Sequence, residues 1–191
     1  QMTEFTRLHT INSIPSSGFF AQVSEDGRAS QAWADAIAEL NKDPRITIFF
    51  YDINKNESKS ETKSDRDSLM YVHIKQKIKE HPGRKVITLS GNIHNRVLPY
   101  RGNNTAAAYF VQDGELALKD KMCCINHYFE SGTMLNNTGN GLELHKIDYG
   151  SSDYSQVGYD FLFLSSPSPG YPYHGTYFTK TVSAAELVNK K

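Results

Sequence analysis

Residues 85–95, KVITLSGNIHN, constrain this chain more than any other stretch of it. An apolar, β-branched run halts at Gly91 and Asn92 and then presents His94, the layout of a buried strand that ends in a turn. What precedes it alternates helix and strand signals. Ser30 stands where a cap is needed, and Trp33, Ile37 and Leu40 recur at helical spacing beside Ala34 and Ala38, as far as Asn41 and Pro44. Residues 46–51, ITIFFY, read as a strand covered on both faces. Ser64 opens a second helix, with Asp65 and Asp67 in the first turn against the positive end of the dipole and Met70, Ile74 and Ile78 on the buried face. His81, Pro82 and Gly83 end it. Helix, strand, helix, strand in that order predicts an α/β fold with a largely parallel central sheet and flanking helices.

The remainder is less regular. Residues 106–111 and 115–118 flank Asp113-Gly114, the dipeptide of tight turns, and are expected to form a β-hairpin. Strands are expected at 123–129, 142–147 and 159–164 (YDFLFL), with a polar, turn-rich loop at 136–141. Residues 165–176, with three prolines and two glycines among tyrosines, predict an irregular aromatic C-terminal segment, and 184–188 a short closing helix. A helix near Thr3 is broken by Pro15 and Gly18, and residues 54–63 read as a solvated loop. There is no internal repeat, and 191 residues suit one domain spanning the chain.

Charge excludes several classes of partner. Twenty-one basic residues balance twenty-one acidic ones, so no global field draws nucleic acid or an anionic membrane, and a small-molecule ligand fits better. No run of about 18 apolar residues is present, so no membrane span is expected. Cys123 and Cys124 are adjacent; a bridge between neighbours is strained, so both read as thiols packed in the core. No Walker loop, dinucleotide glycine fingerprint, HExxH, EF-hand loop or Gly-x-Ser-x-Gly elbow occurs.

In a parallel sheet all carboxyl ends share one edge, and ligands bind in the crevice outside it. That edge is expected to gather Gly91, Asn92 and His94 with Asp52 after the first strand, Arg66 at the start of the second helix, and Asp26 and Arg28 before the first helix. Imidazole there can bind a metal, move a proton or simply bond a loop carbonyl. Arg66 can fix a carboxylate or phosphate or stabilise an oxyanion, or else sit at the surface paired with Asp67 or Asp52. Tyr171, Tyr173, His174 and Tyr177 in the aromatic tail can cover an apolar ligand, even a haem with His174 as axial ligand, or pack on the domain.

Phe19-Phe20, Asp26-Gly27-Arg28-x-Ser30, Arg66-Asp67-x-x-Met70 and Gly91-Asn92-Ile93-His94, in that order, resemble the haem-uptake ChaN, Tiki and TraB superfamily, with the erythromycin-esterase-like proteins as relatives. The resemblance runs from about Phe19 to Ser166, and its specific part is the Arg-Asp-x-x-Met helix followed by an apolar strand and Gly-x-x-His. It implies an α/β fold with a pocket lined by His94 and Arg66, a hydrolase-like or metal-dependent activity with His94 as metal ligand or base, or haem binding, and a bacterial periplasmic or secreted location. The superfamily's opening strand with its Gly-Glu-x-His motif has no counterpart before Phe19. The chain is therefore expected to be a fragment or shortened form. An uncovered sheet edge would then favour a homo-oligomer or association with the missing amino-terminal segment.

Overall fold

The computed structural model describes residues 30–52, 65–137, 141–149 and 159–186. They form three helices, α1 (Gln31–Leu40), α2 (Asp65–Glu80) and α3 (Ala106–Gln112), and four strands, β1 (Ile125–Asn137), β2 (Leu142–Asp148), β3 (Phe161–Leu164) and β4 (Gly175–Val182). The strands make one sheet in the order β2-β1-β4-β3. The residues fall into two compact units; the second comprises those within Tyr51–Tyr128 and Tyr159–Thr179, the first the remainder.

The sheet is mixed rather than largely parallel. β1 and β2 pair antiparallel from Ser131 opposite Asp148 to Asn137 opposite Leu142. β3 and β4 pair antiparallel from Phe161 opposite Phe178 to Leu164 opposite Gly175. β1 and β4 run the same way: His127 meets Thr179, Ser131 meets Lys180 and Thr181, and Thr133 accepts from Ala184, so both chains advance together. Gly132 (φ 132°) permits this pairing, since a Cβ there would fall 1.8 Å from the Val182 carbonyl oxygen.

Residues 46–51 and 85–90, expected to be parallel strands, belong to no ladder. Across 85–90 the side chains alternate between exposed and half-buried, with Ile87 87% and Leu89 64% exposed. The run thus keeps the period of a strand covered on one side only. Its tie to the first run is a side chain, the Tyr51 hydroxyl donating to the Leu89 carbonyl. His94 consequently stands on a turn after an irregular segment, not at a strand's end.

The expected hairpin at 106–118 is also overturned. Ala106–Gln112 is helix, because three alanines favour it, Thr105 accepts from the Ala108 N–H as N-cap, and Ala106, Ala107, Ala108 and Phe110 are buried. Asp113 then closes the turn by accepting from the Glu115 and Leu116 N–H groups. β4 was not anticipated, since residues 175–176 were assigned to the irregular tail; that tail is irregular only to His174.

Other expectations hold. Ser30 caps α1, its hydroxyl accepting from the Trp33 N–H at 3.2 Å, and Ala34, Ile37 and Ala38 are buried, while Leu40 faces out. α2 buries Met70 and Ile74 and ends at Glu80, before Gly83 turns the chain at φ 78°. β2 and β3 fall on anticipated segments, whereas β1 covers the expected 123–129 only from Ile125 and runs on to Asn137, taking Asn136 and Asn137 from the loop expected at 136–141. In the second unit Val97, Ala107 and Cys124 form a core with Leu98, Val111 and Met122 around them. Phe178 is fully buried and stacks on Phe161 at 5.0 Å between centroids. Cys124 is buried and Cys123 exposed, so only the first of them packs as expected. Burial pushes the Cys124 thiol up to about 11. No helix among the described residues is long and apolar enough to cross a membrane. The helix expected near Thr3, Phe19-Phe20 and the 54–63 loop lie outside the described residues; residues 184–186 are not helical, and 187–188 lie outside as well.

Candidate functional site

Three consecutive i to i+3 hydrogen bonds wind the segment after Ser90 into a tight turn: His94 N–H to Gly91, Asn95 N–H to Asn92, and Arg96 N–H to Ile93. The Ser90 hydroxyl donates to the Asn95 side-chain oxygen at 2.8 Å, and the Tyr173 hydroxyl donates to the Asn92 carbonyl at 2.9 Å. Both ends of the turn are thereby pinned. Gly91 lies against the His94 ring, where a Cβ would stand 3.7 Å from Cδ2.

His94 Nδ1 meets the Asp67 carboxylate at 2.8 Å, and both side chains are about one fifth exposed (19% and 21%). The same carboxylate oxygen accepts from the Ala106 N–H at 2.8 Å. An α-helix opens with N–H groups that have no partner inside it, and α3 spends those groups on this site. Ala106 donates to Asp67, Ala107 donates to the His94 carbonyl at 3.1 Å, and Ala108 donates to Thr105. The Thr105 hydroxyl in turn donates to the Arg96 carbonyl. One helix start therefore fixes the carboxylate and the histidine backbone together.

The electrostatics follow from the same contacts. Burial, the largest single influence, works against ionising Asp67. The hydrogen bonds from His94 and the Ala106 N–H, with the charges of His94 and Arg66, outweigh it and hold the carboxyl below its ordinary range. An ionised carboxylate only accepts, so Nδ1 carries the proton and Nε2 is left as the basic nitrogen.

Arg66, the residue before Asp67 on α2, forks onto Asp52 through Nε at 2.9 Å and Nη2 at 2.6 Å. Both side chains are some two fifths exposed (40% and 42%), so this pair contributes little stability. It is the surface pairing with Asp52 weighed from the sequence. Arg66 and His94 are thus each carried by an aspartate, Asp52 and Asp67, and the two contacts meet at the first turn of α2. Asp26 and Arg28 lie outside the described residues.

Asp67 is the partner of His94 that sequence reasoning missed. It read as a carboxylate opposing the helix dipole, although it sits inside the Arg66-Asp67-x-x-Met70 motif. The signal pointing to α3 was Thr105 before three alanines, hidden by the hairpin reading.

Among the described residues no three His, Cys, Asp or Glu side chains gather into a group that could hold a metal ion. His94 offers one remaining donor, and these residues do not by themselves make up a metal centre. The aromatic tail is folded in: Tyr173 is 5% exposed, and His174 Nδ1 accepts from the Cys124 N–H at 3.0 Å. Comparison of the chain with known protein families, curated proteins and solved structures finds no match.

Proposed function

We propose that the second unit is a hydrolase-like domain of the ChaN, Tiki and TraB type, acting on a small-molecule ester, in which His94 is the general base. The observation that carries this reading is the 2.8 Å contact of His94 Nδ1 with Asp67. A carboxylate on Nδ1 fixes the ring's tautomer and orientation and stabilises the imidazolium that forms when Nε2 takes a proton. Partial exposure of the pair leaves it within reach of water. The Arg66-Asp67-x-x-Met70 and Gly91-x-x-His94 resemblance supports the same residues.

The proton transfers need no other group. Water attacks the ester carbonyl while Nε2 accepts its proton. The imidazolium then returns that proton to the departing alkoxide as the carbon–oxygen bond breaks, leaving acid, alcohol and neutral His94. Arg66, at the same helix start, is assigned to the developing oxyanion, a role in which its guanidinium exchanges the exposed Asp52 carboxylate for the substrate oxygen.

The purified chain should hydrolyse activated p-nitrophenyl esters above the background of an equal concentration of imidazole, and His94→Ala should remove that excess. Equal rates in wild type and His94→Ala would reject the base assignment. A parallel haem titration separates the competing reading, because a saturable Soret shift without ester turnover would make this a haem-binding protein instead.

A further inference from the structure

The turn that carries His94 leads into a hairpin with an unusual concentration of unneutralised charge. Tyr100 and Asn103 exchange both backbone hydrogen bonds, at 2.8 and 3.0 Å, around Arg101 and Gly102. Both central residues have positive φ, 51° and 81°, which is a type I′ turn, a position where asparagine and glycine are the comfortable occupants. Arginine at its first position is sterically disfavoured. The Arg101 guanidinium nevertheless lies 5.1 Å from the centre of the Tyr100 ring, and the Arg96 guanidinium lies 4.8 Å from the same ring.

Two like charges repel, yet here they share one phenol. Elsewhere the chain neutralises such groups: Arg45 has Asp43 and Arg66 has Asp52. Neither Arg96 nor Arg101 has a carboxylate within ion-pairing reach among the described residues. The Arg96 Nε–H is sealed from solvent with no acceptor, and a buried donor without a partner calls for an explanation. Tyr173, whose hydroxyl bonds Asn92, lies against Arg96. Arg96 is thus tied to the His94 turn and Arg101 to the hairpin tip.

We propose that Arg96, Arg101 and the Tyr100 hydroxyl form a recognition site for a phosphate dianion, such as the phosphomonoester group of a small molecule. Charge decides the ligand class. A phosphomonoester carries close to two negative charges near neutral pH, matching two guanidinium groups, whereas a carboxylate offers one. Guanidinium donors suit phosphate oxygens, and the rim of an aromatic ring is its positive part, so an anion near Tyr100 meets favourable charge from the ring edge as well as from the two guanidinium groups beside it. Binding here does not depend on whether His94 is a base.

The test is a titration of the full chain with inorganic phosphate at constant ionic strength, following arginine Nε–Hε signals by NMR, with acetate as the monoanionic control. Wild type should show a saturable phosphate shift that acetate does not reproduce at the same concentrations. Arg101→Asn removes one charge while suiting the left-handed turn better than arginine does, so it should stay folded and bind phosphate about tenfold more weakly. Arg96→Lys, which keeps charge and loses the fork, should weaken binding too. His94→Ala should bind as wild type. No saturable shift, unchanged affinity in Arg101→Asn, equal response to acetate, or loss of binding in His94→Ala would each overturn the proposal, and none of them bears on ester turnover.

Discussion

At the scale of single residues, the most informative is Asp67, because its carboxylate serves a helix start and a histidine at once. Asp67→Asn keeps an oxygen that can accept from both partners but removes the negative charge that stabilises the imidazolium of His94. Ester turnover should fall roughly 10²- to 10⁴-fold, by analogy with the aspartate of serine-protease triads. Thr105 still caps α3, so the same variant should lose only about 1–3 kcal/mol of stability. Steady-state kinetics beside thermal melts check both, and a loss of folding in proportion to the loss of rate would reduce Asp67 to a structural role. His94 was legible because a histidine directly after an apolar run and a glycine is conspicuous. Asp67 was not, because its partner lies 27 positions downstream and the dipole of its own helix already explained an aspartate there.

At the scale of elements, α2 and α3 are clamped by a polar network at one end. Lys75 Nζ meets Asp113 at 2.9 Å, Glu115 at 2.8 Å and the Tyr71 hydroxyl at 3.0 Å, and Tyr71 also donates to Asp113 at 2.8 Å. Burial pushes the Asp113 carboxyl upward, but Lys75, Tyr71 and the Glu115 and Leu116 N–H groups outweigh it and bring it down to about 2. A lowered carboxylate contributes stability that is present above its unfolded value of 3.8 and is lost as pH falls through the folded value. Wild type should therefore lose stability between about pH 4 and pH 2, and Asp113→Asn, weaker at neutral pH, should lose less over that range. Denaturant unfolding at several pH values measures the difference, and parallel curves for the two proteins would contradict it. The helix content here was misread for a definable reason: Tyr109, Phe110 and Val111 carry β propensity, and the cap at Thr105 with buried alanines overrode it. α1 and α2 were readable because cap and apolar period agreed with each other.

At the scale of the whole molecule, the sequence reveals which segments avoid water better than it reveals what they lie against. ITIFFY and KVITLS are apolar enough for a parallel sheet, but a ladder needs a neighbour, and neither composition nor period names one. The ladders that do form bring together β1 and β4, whose contacts span 49 to 52 residues, and such separations leave no local trace. The two adjacent sulfurs offer a way to follow the second unit as it opens and recloses. Because one is exposed and its neighbour is sealed in the core and held at about 11, a disulfide reagent near pH 8 should consume one equivalent immediately and the other only as fast as the core opens. The slow phase then works as a thiol-exchange clock built into the chain, and two equally fast phases would mean that this core does not close.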